Sequence, residues 1–329
     1  MYARTRCLGT ATAVENSSPD CAADILPGMR VAILGLGQIG GSVGRALIAA
    51  GEPWGVAGWT RSDDARRAAA ADGIDVAASV GDACVEADLV LLAAPPLACL
   101  ALLDELAGPL RPALSPDAVI SDVASTKGAI SARAAGHGLR FVGGHPMAGR
   151  EASGYGAADP SLFVGRPWVV VGSDPPDGAA ESRVSDLATA CGARVVRLDA
   201  AEHDAAVAAI SHLPLVVAAA LVEAVTSRPD WPVARDLAAG GWASMTRLAR
   251  GDVEMGTGIL ATNGAAVAER LRDLRDVLDG WLADLDGVAL EPDGRVPGPD
   301  GQVPDLDRLR ERLASARMRL ESDDAASGR

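Results

Sequence analysis

Four histidines are spread along 329 residues. One of them stands where packing asks little of an imidazole. His145 lies in "VGGHPMAGRE", between two glycines and a proline. Glycine lets a backbone approach a ligand closely, and proline disfavours helix at the residue before it. The expectation is a rigid loop presenting one ring whose reference pKa, about 6.5, suits giving or taking a proton near neutrality. The ordinary alternative is a loop histidine bonded to backbone. His212 stands in "AISHLPL", where the alternative is a capped or buried core histidine. Ser121, Asp122, Ser125 and Lys127 crowd into "SDVASTKG", and Arg247 stands in "MTRLARG". Arg247 has a surface ion pair with Asp252 or Glu254 as its bland reading. Lys127 reads as a residue that caps or solvates a helix start, outside the catalytic set.

A second constellation points to a cofactor. Gly35, Gly37 and Gly40 form G-x-G-x-x-G in "LGLGQIGGS", after a short apolar strand and at the start of a helix. Such glycines make a tight turn, admit a pyrophosphate and pack helix on strand. The free N–H groups of the helix start, at Gly37, Gln38, Ile39 and Gly40, and its dipole then favour phosphate. The second strand carries no acidic residue at its end; it runs into Gly58-Trp59-Thr60-Arg61-Ser62. Thr60, Arg61 and Ser62 suit a ribose 2′-phosphate through charge-assisted hydrogen bonds, so NADP is expected to be accepted beside NAD. An exposed arginine opening a helix is the plainer account of Arg61.

The elements that must position these residues follow from periodicity. "MRVAILG", "PWGVAGW", "ADLVLLAAPP", "AVISDVAS", "RFVGG", "RPWVVVGS" and "ARVVRLD" read as strands alternating with helices, which implies an α/β fold with a Rossmann-type parallel sheet covered on both faces. After Asp199 strand signals stop, and the pattern to about Asp286 is helical, with breaks expected at Pro229, Pro232, Gly240–Gly241 and Gly256–Gly258. The predicted organisation is a disordered leader (1–28), a dinucleotide-binding domain (29–198), an all-helical domain (199–286), then a linker and C-terminal helix (287–329). The apolar run "AVAAISHLPLVVAAALVEAV" is interrupted by Ser211, His212, Pro214 and Glu223, so it reads as a helix buried among others and not as a membrane span. A formal charge of −14 without a basic patch argues against nucleic acid. Five cysteines (Cys7, Cys21, Cys84, Cys99, Cys191) lack metal-ligand spacing; no metal site is expected, and reduced thiols imply a cytoplasmic protein.

"LGLGQIGGS", "DVASTKGAI", "GGHPMAGREASGYGAADPSLFVGRPWVV", "EHDAAVAAISHLP" and "TRLA" occur in the order and at about the spacing of the prephenate/arogenate dehydrogenase family. The resemblance covers roughly 29–286. It implies a dinucleotide-binding domain followed by a helical dimerisation domain, hence a homodimer. It also implies oxidative decarboxylation of a cyclohexadiene, from prephenate to 4-hydroxyphenylpyruvate or from arogenate to tyrosine. In this resemblance His145 accepts the ring hydroxyl's proton, Ser125 orients His145 or the same hydroxyl, Arg247 binds a substrate carboxylate and His212 lies near the substrate.

Two places depart from the family pattern. Many relatives carry a second histidine after "SHLP", where this chain has Leu215. They often show Arg-Asp before Thr-Arg, where this chain has Ala243-Ser244-Met245. Prephenate, arogenate and a 4-amino-4-deoxyprephenate-type compound therefore stay open as substrates, with Glu151 or Asp159 considered for a substrate cation. A related β-hydroxyacid or imine reductase, and a coenzyme-binding regulator without turnover, are the competing functions.

Overall fold

A computed structural model describes residues 28–51, 53–149, 152–286 and 306–327. The predicted leader and linker, and Glu151, lie outside the described residues. Eight strands and their helices come first: β1 (Arg30–Leu34), α1 (Gln38–Ala50), β2 (Gly55–Trp59), α2 (Asp63–Ala71), β3 (Asp75–Val76), α3 (Val80–Cys84), β4 (Leu89–Leu92), α4 (Pro96–Ala107), β5 (Val119–Asp122), α5 (Gly128–Gly136), β6 (Phe141–Pro146), β7 (Pro167–Val171), α6 (Gly178–Ala190) and β8 (Arg194–Leu198). They form one sheet in the order β3-β2-β1-β4-β5-β6-β7-β8. Strand β1 shows why its sequence is apolar throughout. Val31 and Ile33 join the core on one face with Val43 and Leu47, while Ala32 and Leu34 join the core on the other with Leu103 and Leu106. A strand buried on both faces has no polar side.

The sheet is not parallel throughout. β6 pairs antiparallel with β7, placing Gly144 opposite Val170 and His145 opposite Val169. A parallel return needs a crossover packed back on the sheet. The described residues of 147–166 supply only one short 3₁₀ turn, Tyr155–Ala157. This connection lies across the end of α2, where Tyr155 donates to Asp72 (2.8 Å), and across α1, where Asp159 N donates to Ser42 Oγ (2.9 Å).

The second half is helical: α7 (Ala200–Val207), a π turn (Ala208–His212), α8 (Leu213–Thr226), α9 (Trp231–Asp236), α10 (Gly240–Met245), α11 (Val253–Asp286) and α12 (Asp307–Ser327). Pro214 cannot donate to the carbonyl of Ile210, and its ring crowds that group; the wider turn before it accommodates both effects. The expected burial of the apolar run is met only in part, since Ala218 is the one buried residue of α8. The helix Ala200–Thr226 is long and apolar enough to cross a membrane by length and composition alone. Its polar residues, however, build the cleft described below. The break expected at Gly256–Gly258 is absent. α11 runs through it, and Gly258 instead lets the helix approach α4, where a Cβ would come within 3.1 Å of Pro96 Cδ. The irregularity falls at buried Asn263 (φ −129°, ψ 21°). Cys84, Cys99 and Cys191 are buried and unpaired, their thiols pushed up to about 11, 12 and 12 by burial.

Candidate active site

The glycine turn after β1 has three distinct constraints. A Cβ on Gly35 (φ +115°) would lie 2.2 Å from the Ala93 carbonyl oxygen, and one on Gly40 would lie 1.9 Å from the Gly35 oxygen. Gly37 faces open space, with nothing within 4 Å. Two glycines are therefore demanded by the fold, and the third keeps a surface clear above the start of α1. Gly37 is the N-cap of that helix and no side chain caps it, so the first N–H groups of α1 are offered outward. This is the cradle a pyrophosphate needs, and the residues fit a dinucleotide.

From the turn a cleft of about 780 Å³ runs past Trp59, Thr60, Arg61 and Ser62 toward α2. Arg61 is exposed and makes no ion pair among the described residues. Ser62 has a structural task as well, for its Oγ caps α2 by accepting from Ala65 N (3.3 Å). Its hydroxyl proton remains able to donate. A second cleft of about 640 Å³ shares Gly37, Ala93, Ala94 and Pro95 with the first. Gln38, Ile39, Ser125, His145, His212 and Arg247 all line it. The fold thus brings every sequence-predicted catalytic and substrate residue to one cleft, beside the glycine turn.

His145 belongs to β6 itself, not to a loop beyond the strand. Its Nδ1 is 2.8 Å from Nε2 of His203, and His203 Nδ1 is 2.8 Å from Asp204 Oδ1. Asp204 also accepts from Lys127 N and Gly128 N, at 2.8 Å each, and so caps α5. Burial works to raise its pKa, but the hydrogen bonds from His203 and the two amides prevail and hold the carboxyl below the usual carboxylate range. The proton positions follow from the partners. A carboxylate only accepts, so His203 Nδ1 carries the proton and its Nε2 accepts. His145 Nδ1–H therefore donates to His203, and His145 Nε2 is left as an acceptor in the cleft. Burial, the Lys127 charge and the neighbouring His203 and His212 hold His145 well below 6.5. The ring is neutral at neutral pH and able to take a proton.

Ser125 lines the same cleft but makes no hydrogen bond to His145 among the described residues; His203 does the orienting expected of it. His203 carries no motif of its own, and the only signal was a histidine and an aspartate adjacent in "EHD". Lys127 corrects the other expectation. It stands at the N-cap position of α5, yet its side chain is fully buried, ion-paired with Asp122 and donating to Gly144 O (2.6 Å). Asp122 Oδ1 accepts from Gly144 N (3.1 Å), so this ion pair holds both the N–H and the carbonyl of Gly144, the residue before His145.

His212 is 1% exposed. Its Nδ1 lies 3.2 Å from Asn263 Nδ2, and its Nε2 is buried without a partner. Burial, reinforced by His203 and opposed by Asp204, pushes its pKa down to about 4. Arg247 is exposed on the cleft wall. Asp252 also lines the cleft and caps α11 by accepting from Met255 N (2.8 Å). Leu215, Met255 and Ile259 make the rest of that wall apolar.

Comparison with known proteins agrees with this two-part fold. The family model for the prephenate dehydrogenase nucleotide-binding domain matches residues 43–197, and that for the prephenate dehydrogenase dimerization domain matches 199–286. Prephenate dehydrogenase of Lactococcus lactis is 32% identical over 256 residues, covering 76% of this chain and 69% of the relative. Cyclohexadienyl dehydrogenase of Zymomonas mobilis is 32% identical over 262 residues, covering 78% and 85%. Among solved structures, Synechocystis arogenate dehydrogenase superposes with a TM-score of 0.69 at 30% identity over 89% of this chain and all of that one. Prephenate dehydrogenase from A. aeolicus in complex with hydroxyphenyl propionate and NAD+ gives 0.75 at 25% identity, covering 92% and 99%. With its glycine cradle, buried histidine relay and helical second half, the chain belongs to the prephenate dehydrogenase family.

Proposed function

We propose that this protein catalyses the oxidative decarboxylation of prephenate to 4-hydroxyphenylpyruvate in tyrosine biosynthesis. The observation that carries the reading is the Asp204–His203–His145 relay, which leaves a neutral acceptor nitrogen in a cleft continuous with the dinucleotide cradle. A nicotinamide coenzyme, when bound, supplies the two-electron acceptor. His145 Nε2 takes the proton of the ring hydroxyl as the carbon bearing it is oxidised. The resulting imidazolium is stabilised through His203 by the Asp204 carboxylate, without a proton leaving the buried chain. Loss of the ring carboxylate as CO₂ makes the ring aromatic, so the protein has to supply chiefly orientation and one base. Arg247 binds a substrate carboxylate, His212 contacts the substrate, and Ser125 contacts the hydroxyl from the cleft wall. The first turn of α1, from Gly35 to Gly40 with Gln38 and Ile39, holds the pyrophosphate.

Thr60, Arg61 and Ser62 at the far end of the cleft support acceptance of NADP beside NAD. The protein acts as a homodimer in the cytoplasm: α8 is left half-covered in one chain, and three buried thiols suit a reducing compartment. A second reading, arogenate as substrate, is favoured by Asp252. Its carboxylate shares a cleft wall with Arg247, and the pair matches the opposite charges of an amino acid side chain. One assay separates these readings: reduced-nicotinamide absorbance with prephenate and arogenate, each with NAD and NADP. Turnover of prephenate is the expected result. Turnover of arogenate alone transfers the assignment to the second reading, and coenzyme binding without turnover of either indicates a regulator.

A further inference from the structure

Asn263 is an unusual residue to find inside a helix. It breaks the φ/ψ of the 34-residue α11 and is buried at 7% exposure. A polar side chain that interrupts a helix and avoids water needs a compensating set of partners. Asn263 has two. Its Nδ2 is 2.8 Å from the Asp204 carbonyl oxygen and 3.2 Å from His212 Nδ1. The orientation of the amide is fixed by the first contact, because a carbonyl oxygen only accepts and the group facing it must be NH₂. The same NH₂ has a second proton, and that proton faces His212 Nδ1. His212 Nδ1 is therefore an acceptor, and the ring's own proton sits on Nε2. That nitrogen is buried and has no partner among the described residues, in a residue that lines the cleft.

We propose that Asn263 is a positioning residue which fixes His212 as an Nε2–H donor to a carboxylate oxygen of the substrate. The functional part of this inference rests on the reaction proposed above; the assignment of the ring proton does not. The two cleft histidines then have opposite and complementary tautomers. Asp204 acts through His203 to make His145 an acceptor, and Asn263 makes His212 a donor. Asp204 also joins the two systems, since its carboxylate orients one ring and its carbonyl orients the amide that orients the other. The kink in α11 brings the Asn263 amide under both. A donor that stays neutral also tells substrate orientations apart: it accepts an oxygen lone pair and rejects an ammonium.

The test is the ¹⁵N spectrum of histidine-labelled protein, which is tractable because the chain has only four histidines. Wild-type protein is expected to show His212 protonated on Nε2, with His145 and His203 protonated on Nδ1. Asn263→Asp, isosteric but an acceptor, is expected to move the His212 proton to Nδ1 and leave His145 unchanged. It should also raise KM for the carboxylate substrate about tenfold to a hundredfold with a smaller change in kcat, the size of one lost hydrogen bond to a charged group. Asn263→Leu, which removes the donor without adding charge, serves if the aspartate variant does not fold; mixed His212 tautomers are then expected. An Nδ1–H tautomer for His212 in the wild type overturns the proposal, as does an unchanged His212 tautomer in the variants. A switched tautomer with unchanged KM overturns the substrate contact. If the tautomers are as expected but no cyclohexadiene is turned over, the reaction assigned above fails and only the assignment of the His212 proton by Asn263 stands.

Discussion

At the scale of single residues, the chemistry depends on which nitrogen of each ring holds a proton, and neighbours decide that. His145 was legible in the sequence because glycines and a proline isolate it, and Arg247 because it matched a motif. The orienting partner was not legible. His203 and Asp204 look like any polar residues opening a helix, and only the docking of α7 beneath α5 turns Asp204 into a cap for Lys127 and Gly128. The burial of Lys127 was not legible for a related reason. A lysine at a helix start is usually solvated, and nothing local signals that Asp122 waits for it in the core. The lowered pKa of His145 makes a pH prediction whose sign is definite. The neutral ring is the active form, so kcat/KM should stay flat as pH falls through 6.5 and decline only at more acid pH; an acidic limb centred at 6.5 or above contradicts the relay. Stability follows the same direction. His212 has a folded pKa of about 4, so between pH 6.5 and 4 the unfolded chain binds the extra proton, and stability should fall across that window by about 3 kcal/mol.

At the scale of elements, the strands and the glycine turn were readable because burial on both faces and tight turns leave strong local marks. The reversal of β7 was not, since strand direction depends on where residues 147–166 travel and not on the strand's own pattern. The same holds for α11. Its glycines suggested breaks, yet Gly258 serves a helix contact, and the real interruption is at Asn263, whose cause is a pair of distant acceptors. The turn supports a contrast between two similar substitutions. Gly40→Ala forces a methyl to within 1.9 Å of the Gly35 oxygen and should cost folding stability measurable by thermal melting. Gly37→Ala meets no protein atom within 4 Å, so it should melt like the wild type while its KM for coenzyme rises several-fold. Equal effects on stability from both changes would show that Gly37 is structural.

At the scale of the whole molecule, one chain leaves apolar surface uncovered on its helical half. Leu237 is 77% exposed, Val253 76% and Val233 68%, and α8 buries only Ala218. Covering this half by a second copy removes that surface from water, and the matched dimerization-domain model spans the same residues. Sedimentation equilibrium should find a dimer at micromolar concentration; a monomer there would contradict the assembly. The C-terminal helix was readable as an element but not in its placement. α12 docks on the end of α11 through Arg312, which pairs with Asp284 (2.5 Å) and lies over the Trp281 ring.

In the proposed reaction the relay ends on a neutral His145, which takes the substrate's hydroxyl proton. The most direct test is turnover of prephenate by His145→Asn, measured together with coenzyme binding. A loss in kcat of about 10²–10⁴-fold is expected, with coenzyme affinity nearly unchanged. Near-normal turnover by the variant would contradict it.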